Sequence, residues 1–163
     1  EALADLAERD WHCVLAGSLD RDPGFVDQLQ ARITRLGYGH RVRLAGILTG
    51  AALDDAYATA DLLVAPSRSE TYGMTVTEAL AHGLPVVATA VGGLPEAFGS
   101  TADGTGPGQL IPPGDPAALA AALEDWLDDE DHRHRLRAAV RQRQPTLRGW
   151  EQTTQEIADA LTA

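Results

Sequence analysis

The sequence contains no lysine: its 13 basic side chains are all arginine, and 24 acidic side chains leave a net charge of −11. A surface this acidic excludes non-specific binding to nucleic acid or to anionic membranes. The single cysteine, Cys13, excludes a disulfide framework and indicates a reducing compartment. The longest apolar runs, such as Leu62–Ala65, fall far short of the roughly 20 residues that a membrane span requires. We therefore expect a cytoplasmic protein without a nucleic-acid partner.

The length of 163 residues suits one domain, since domains usually contain about 100–200 residues. A core of that size needs neither a disulfide nor a metal to hold it together. The chain begins at Glu1 rather than at a methionine, and its first residues lack the pattern of a signal peptide. We expect residues 1–163 to form a single domain cut from a longer protein.

Short apolar strands alternate with helices along the chain. The predicted strands are His12–Ala16, Val42–Leu44, Leu62–Pro66, Pro85–Thr89 and Leu110–Ile111. The predicted helices are Glu1–Arg9, Phe25–Leu36, Leu53–Ala60, Thr75–His82 and Glu96–Phe98, with three more that begin near Pro116, Asp131 and Trp150. This alternation predicts an α/β, Rossmann-like parallel sheet with helices on both faces, and extra C-terminal helices. Ligands bind such sheets beyond the carboxyl ends of the strands.

The segment that follows the strand Leu62–Pro66 has the features of a ligand site. It passes through a loop containing Gly73 straight into a helix, whose first N–H groups and dipole favour an anion. Gly73 lets the backbone approach a ligand closely. Glu70 lies near the strand exit and Glu78 eight residues later, and carboxylates accept hydrogen bonds from hydroxyl groups. A ligand with both phosphates and vicinal hydroxyls, such as a nucleotide sugar, suits this combination.

Residues 66–96 also carry a resemblance to a known family. Glu70 and Glu78, with seven residues between them, and the Gly92-Gly93-Leu94-Pro95-Glu96 turn lie in a block that resembles the C-terminal half of retaining glycosyltransferases of family 4, the group 1 glycosyl transferases. The likeness extends to Arg41–Gly46, Ala60–Val64 and the Trp150-Glu151 pair. Members of this family have the GT-B architecture of two facing Rossmann-like domains. The resemblance therefore implies a donor-binding domain of that architecture.

By position, the resemblance assigns the donor contacts to particular residues. Glu70, the predicted catalytic residue, would contact hydroxyls of the transferred sugar, and Glu78 would hold the ribose hydroxyls. The backbone N–H groups of Gly73, Met74 and Thr75 would bind the sugar and the distal phosphate. Family members transfer a hexosyl group from an NDP-sugar with retention and need no metal or other cofactor. The protein then acts mainly by stabilising the departing diphosphate electrostatically.

Three further residues complete the implied donor site. The loop at Ile47 and Leu48 would lie along the base. Family members usually clamp the diphosphate with an Arg and a Lys placed before this chain's first helix. Neither is present here, so Arg68, inside the loop after the third predicted strand, is a candidate to replace part of the clamp. We expect the isolated fragment to bind donor weakly and to be inactive.

Two larger parts of the family pattern are also missing. The N-terminal domain would bind the acceptor, which is a sugar, a lipid or a small molecule. A lipid acceptor would place the whole protein at the inner face of the membrane. A further strand would lie between the predicted strands His12–Ala16 and Leu62–Pro66. Either those two strands pair directly, or another chain or fragment acts as the strand-completing partner; a strand within residues 1–10 would refute this hypothesis.

Other interpretations of the same residues remain open. Thr75 and Glu78 have the spacing of a capping box. Glu70 and Glu78 could form the carboxylate pair of a glycosidase, which lies about 5–9.5 Å apart across a sugar. A GT-B sugar-nucleotide epimerase or phosphorylase shares the architecture, and a non-catalytic Rossmann-like module would bind a partner protein instead. Convergence of Glu70, Glu78 and the Gly73 amide on one pocket would favour the donor site over the binding module.

Overall fold

The computed structural model describes residues 1–147 and 158–159. The strands are β1 (Cys13–Ala16), β2 (Val42–Gly46), β3 (Leu63–Ala65), β4 (Val86–Thr89) and β5 (Gly108–Ile111). The helices are α1 (Pro23–Arg35), α2 (Ala51–Thr59), α3 (Met74–Ala81), α4 (Leu94–Phe98), α5 (Pro116–Asp128) and α6 (Glu130–Arg143). Short 3₁₀ helices lie at Ala2–Ala4, Tyr38–His40 and Gln144–Thr146. The helix predicted to begin near Trp150 lies outside the described residues, except for Ala158 and Asp159.

All paired strands run parallel, as the alternating pattern predicts. β1 pairs with β2, and β4 lies between β3 and β5 in a second sheet. Val86 of β4 is opposite Leu63 on one side and Gly108 on the other. A Cβ atom on Gly108 would lie 1.7 Å from the Val86 carbonyl oxygen, so the close approach of β5 to β4 requires glycine there.

The central strand β4 is buried on both faces, and its side chains alternate between two cores. Val86 and Ala88 pack among residues of α2, α3 and α4. Val87 faces the other way, against Ala122 of α5. This period of two is the expected result of a parallel sheet covered by helices on both sides. The predicted Rossmann-like α/β fold is confirmed.

The expectation that the first and third strands pair directly is wrong for the described residues. β1 pairs only with β2, and β3 only with β4, so the strands form two sheets. Among the described residues, each strand forms backbone hydrogen bonds only with neighbours in its own sheet. Leu62 and the α5 residue Leu119 pack into the cores of both sheets. Val14 of β1 is consequently 49% exposed, unlike the buried residues of β4. A strand-completing partner stays a prediction.

The N-terminal segment forms no strand, and the helix predicted over Glu1–Arg9 is reduced to the 3₁₀ turn at Ala2–Ala4. Side chains donate hydrogen bonds to the carbonyl groups at the end of this segment. Trp11 Nε1 donates to the Leu6 carbonyl at 2.8 Å, and Arg41 donates to the carbonyls of Ala7 and Trp11 at 2.8 and 3.1 Å. Because Leu6 and Trp11 are also buried together, tertiary contacts outweigh the local helical pattern here.

Candidate functional site

The loop between β3 and α3, residues 66–73, is called the signature loop below. In it, the Glu70 carboxylate turns back onto its own backbone. Its Oε1 atom accepts hydrogen bonds from the N–H groups of Thr71 at 2.8 Å and Tyr72 at 3.3 Å. The N–H groups of Thr71, Gly73 and Tyr72 lower the pKa of Glu70, because each stabilises the charged form. The hydrogen bonds from Thr71 and Tyr72 both use Oε1.

Two adjacent glycines support the signature loop from behind. The Gly93 N–H donates to the Glu70 carbonyl at 3.3 Å. A Cβ atom on Gly92 would lie 1.7 Å from that same carbonyl oxygen, and one on Gly93 would lie 2.4 Å from the Thr71 carbonyl oxygen. The backbone of the signature loop therefore rests directly on the backbone of this turn. The sequence indicated a loop here, and the structure shows that the glycines set the position of Glu70.

Thr89, at the end of β4, holds the start of the signature loop. Its hydroxyl donates to the Ser67 carbonyl at 2.6 Å, and the residue is only 2% exposed. Sequence analysis did not single out Thr89, since a threonine at the end of a β-branched run is typical of a strand. Its role depends on a partner 22 residues away in the chain.

Helix α3 begins at Gly73, and this overturns the capping-box interpretation of Thr75 and Glu78. Gly73 is the N-cap residue, with φ at +72°, and its carbonyl accepts from the N–H groups of Val76 and Thr77 at 3.0 and 3.1 Å. A capping box would need Thr75 at the N-cap. Gly73 occupies that place because a Cβ atom there would lie 2.7 Å from the Ala97 Cβ atom, and because its φ is costly for other residues.

This helix start leaves backbone donors pointing out of the signature loop. The N–H groups of Met74 and Thr75 belong to the first turn of α3, where no intrahelical acceptor exists. No side chain among the described residues caps them. Together with the helix dipole, they favour an anion at this position. The phosphate role that the family resemblance implies for Met74 and Thr75 stays a prediction.

Glu78 lies in the second turn of α3, and its carboxylate accepts a hydrogen bond from a tyrosine. The Tyr57 hydroxyl donates to Glu78 Oε2 at 3.0 Å. Tyr57 is 8% exposed, and its ring stacks on the His82 imidazole, with 4.8 Å between centroids and 17° between planes. Burial and, to a smaller extent, the Glu78 carboxylate raise the pKa of Tyr57 to about 12. Like Glu70, Glu78 is hydrogen-bonded to the protein.

The remaining predicted residues lie on exposed loops. Ile47, which is 69% exposed, and Leu48 follow β2 at its carboxyl end. Arg68 is an exposed residue of the signature loop, which follows β3. Parallel strands place both loops at carboxyl ends, where α/β sheets bind ligands.

The structure brings the predicted residues together in part. Glu70 and the Gly73 amide meet in the signature loop, while Glu78 is tied to α2 through Tyr57. Two shallow clefts lie elsewhere: one of about 230 Å³ includes Tyr57 and His82, and one of about 370 Å³ runs along β1 and β2. Neither of these two clefts is lined by Glu70, Gly73 or Glu78.

Two features are absent from the described part of the chain, a cluster of metal ligands and a membrane-spanning helix. Over residues 1–147 and 158–159, no three His, Cys, Asp or Glu side chains are grouped so as to hold a metal ion. Across the same residues, none of the helices has the length and apolar character needed to cross a bilayer.

Comparison with known proteins places this geometry in a family. Residues 1–143 match the family model described as glycosyl transferases group 1. A D-inositol 3-phosphate glycosyltransferase 1 of Catenulispora acidiphila is 37% identical over 142 residues, which cover 87% of this chain and 32% of that protein. A D-inositol 3-phosphate glycosyltransferase of Streptomyces avermitilis is 40% identical over 136 residues, 83% of this chain and 28% of that protein. The chain thus spans about a third of the length of these relatives.

Solved structures agree with the family match. Anabaena HepE, solved with UDP and glucose, superposes with a TM-score of 0.79 at 26% identity, over 99% of this chain and 44% of that one. A sucrose-phosphate synthase of Thermosynechococcus elongatus gives a TM-score of 0.81 at 29% identity, over 99% of this chain and 40% of that one. The fold is that of one part of the GT-B glycosyltransferases, since the chain spans less than half of each of these structures. The chain belongs to the group 1 glycosyl transferases.

Proposed function

We propose that this chain is the nucleotide-sugar donor domain of a retaining glycosyltransferase that transfers a hexosyl group from an NDP-sugar. The observation that carries the proposal is the unit formed by the signature loop and α3. It presents two carboxylates, Glu70 and Glu78, each hydrogen-bonded to the protein, beside the unpaired N–H groups at the start of α3. Hydroxyl acceptors next to an anion site match a sugar joined to a diphosphate. The UDP and glucose bound to Anabaena HepE support this choice of ligand.

Each part of the donor has a counterpart in this unit. The Glu70 carboxylate would accept from hydroxyls of the transferred sugar, and Glu78 Oε1 from the ribose hydroxyls. The N–H groups of Gly73, Met74 and Thr75 would bind the sugar and the distal phosphate. Charge-assisted hydrogen bonds of this kind are stronger than neutral ones, so the two carboxylates would fix the orientation of the donor.

The remaining contacts are made by exposed loops. Ile47 and Leu48 would lie along the base, and the Arg68 guanidinium would reach a phosphate oxygen. The chain would use no metal or other cofactor, and the helix N-terminus would supply the favourable electrostatics instead. The acceptor would be bound by another domain of the whole protein.

In the proposed reaction, the bond from the anomeric carbon of the sugar to the diphosphate breaks. An acceptor oxygen forms the new glycosidic bond on the same face of the ring, which retains the configuration. The acceptor proton passes to an oxygen of the departing diphosphate. The N–H groups of Met74 and Thr75 would stabilise the negative charge that develops on the leaving group. Membership of the transferase family favours this reaction over the glycosidase and over a non-catalytic module.

Calorimetric titration with UDP, GDP, ADP and their glucose conjugates tests the proposal. We expect one nucleotide to bind saturably, which would identify the base. The variant Glu70→Gln should bind that nucleotide almost as the original chain does, and should bind its glucose conjugate more weakly, because Glu70 is assigned to the sugar alone. Equal losses for both ligands would contradict this division of roles. Absence of saturation with all six would overturn a donor site formed by this chain.

A further inference from the structure

Tyr57 joins the candidate site to the protein core. Its ring lies in the same core cluster as Val76, Ala79 and Leu80 of α3, while its hydroxyl reaches the Glu78 carboxylate of that helix. The ring therefore has a fixed position, and the hydroxyl group has one too. A buried hydroxyl with a charged acceptor 3.0 Å away forms a strong hydrogen bond.

The ring of Tyr57 is also held from the other side. The His82 imidazole stacks on it, and His82 directly follows α3. His82 Nε2 lies 3.8 Å from an Oδ1 atom of Asp54, one turn before Tyr57 on α2. Helices α2 and α3 thus contact each other through two pairs of side chains, Tyr57 with Glu78 and His82 with Asp54. This arrangement limits how far Tyr57 can move relative to α3.

The Glu78 side chain alone has no such restriction. Glu78 is an exposed residue on the surface of α3, and a glutamate in that position populates several rotamers. The hydrogen bond from Tyr57 to Oε2 selects one of them and leaves Oε1 outside that bond. Selecting the rotamer before a ligand arrives removes an ordering cost from binding.

We propose that Tyr57 is a positioning residue, which fixes the Glu78 carboxylate for the ribose hydroxyls of the donor. This inference rests on the proposed function, in which Glu78 binds the ribose. Tyr57 itself touches no part of the donor. Its effect is therefore confined to ligands whose ribose carries hydroxyl groups, whereas a purely structural tyrosine would affect every nucleotide alike.

The test compares UDP with 2′,3′-dideoxy-UDP, or the corresponding guanine or adenine pair if the titration above selects that base. Glu78→Gln reports whether Glu78 binds the ribose, and Tyr57→Phe removes only the hydroxyl that positions it. Tyr38→Phe is the matched control, because Tyr38 packs edge-on against Trp11 in the other core, with ring centroids 5.1 Å apart. The quantity measured in each variant is the dissociation constant of the dideoxy analogue divided by that of the ribonucleotide.

We expect Tyr57→Phe to weaken binding of the ribonucleotide about fivefold to tenfold, which corresponds to the cost of ordering one flexible side chain, and to leave binding of the dideoxy analogue unchanged. Tyr38→Phe should leave the ratio as it is in the original chain. Adding Tyr57→Phe to Glu78→Gln should bring no further loss, because Tyr57 acts through Glu78. A loss that persists in the double variant would show a structural role and overturn the proposal.

The same set of variants distinguishes failure of the ribose role of Glu78 from failure of the positioning role of Tyr57. If Glu78→Gln leaves the ratio unchanged, the ribose role of Glu78 is wrong, and the positioning role falls with it. If Glu78→Gln lowers the ratio and Tyr57→Phe does not, only the positioning role is wrong. Should Tyr57→Phe fail to fold, His82→Ala takes its place, since His82 is partly exposed and its removal loosens the same ring. An unchanged ratio in that variant would equally overturn the proposal.

Discussion

Replacing Gly92 by alanine tests whether the glycine turn determines the position of the signature loop. The new Cβ atom would lie 1.7 Å from the Glu70 carbonyl oxygen, whereas real Cβ contacts stay above 3.0 Å. The two backbones must therefore separate by ~1.3 Å, the difference between those distances. A forced backbone shift of this kind costs about 1–3 kcal/mol. The left-handed φ of +50° adds about 1–2 kcal/mol for any residue with a Cβ atom.

Gly37→Ala is the matched control for this substitution. Its φ of +73° imposes the same backbone cost, but no atom lies within 4 Å of the added Cβ. Denaturant unfolding should thus show a loss of about 1–2 kcal/mol for Gly37→Ala and about 2–5 kcal/mol for Gly92→Ala. Gly92→Ala should also weaken binding of the nucleotide sugar, because Glu70 moves with its backbone. Equal stabilities of the two variants, within about 0.5 kcal/mol, would refute the direct contact between turn and loop.

Two further predictions concern the signature loop. Thr89→Val leaves the part-buried Ser67 carbonyl without its donor and should lower the free energy of unfolding by about 1–3 kcal/mol in denaturant. Thr59→Val, on the exposed face of α2, should lower it far less. Equal losses of stability in the two variants would contradict the role of Thr89. The pKa of Glu70 lies below the ordinary value of 4.5, so its carboxylate stabilises the folded chain above pH 4.5 and loses that effect as the pH falls through the lowered pKa. The stability difference between the original chain and Glu70→Gln should therefore shrink below pH 4.5, and a difference independent of pH would disprove the hydrogen bonds to Glu70.

Local patterns predicted most of the elements because local forces decide them. Asp115 before Pro116 predicted the start of α5, and the Asp115 side chain does accept from the Ala118 N–H at 2.9 Å. The apolar run Pro85–Thr89 predicted a buried strand, which is β4. The strand, glycine loop and helix around Gly73 likewise follow from short-range signals. In each case, the residues that predict the element are neighbours in the sequence.

The features that sequence analysis missed depend on partners far apart in the chain. Tyr57 fits the buried side of a short helix, and nothing near it indicates that its hydroxyl meets Glu78, 21 residues later. The helix predicted over Glu1–Arg9 is shortened where Leu6 packs against Trp11 and Arg41 binds the Ala7 carbonyl, contacts that span up to 34 residues. The structure shows how the two carboxylates are held, and the donor roles of Glu70 and Glu78 stay predictions.

The division of the strands into two sheets has a consequence for how a nucleotide would act on this protein. The loop at Ile47 and Leu48 extends from β2, whereas the signature loop extends from β3 in the other sheet. Among the described residues, no ladder of backbone hydrogen bonds joins the two sheets. Side chains join the sheets instead, because Leu62 and Leu119 pack into the cores of both. A nucleotide that places its base on one loop and its phosphates on the other would span both sheets, so the packing of these two leucines would set the distance that the nucleotide must bridge.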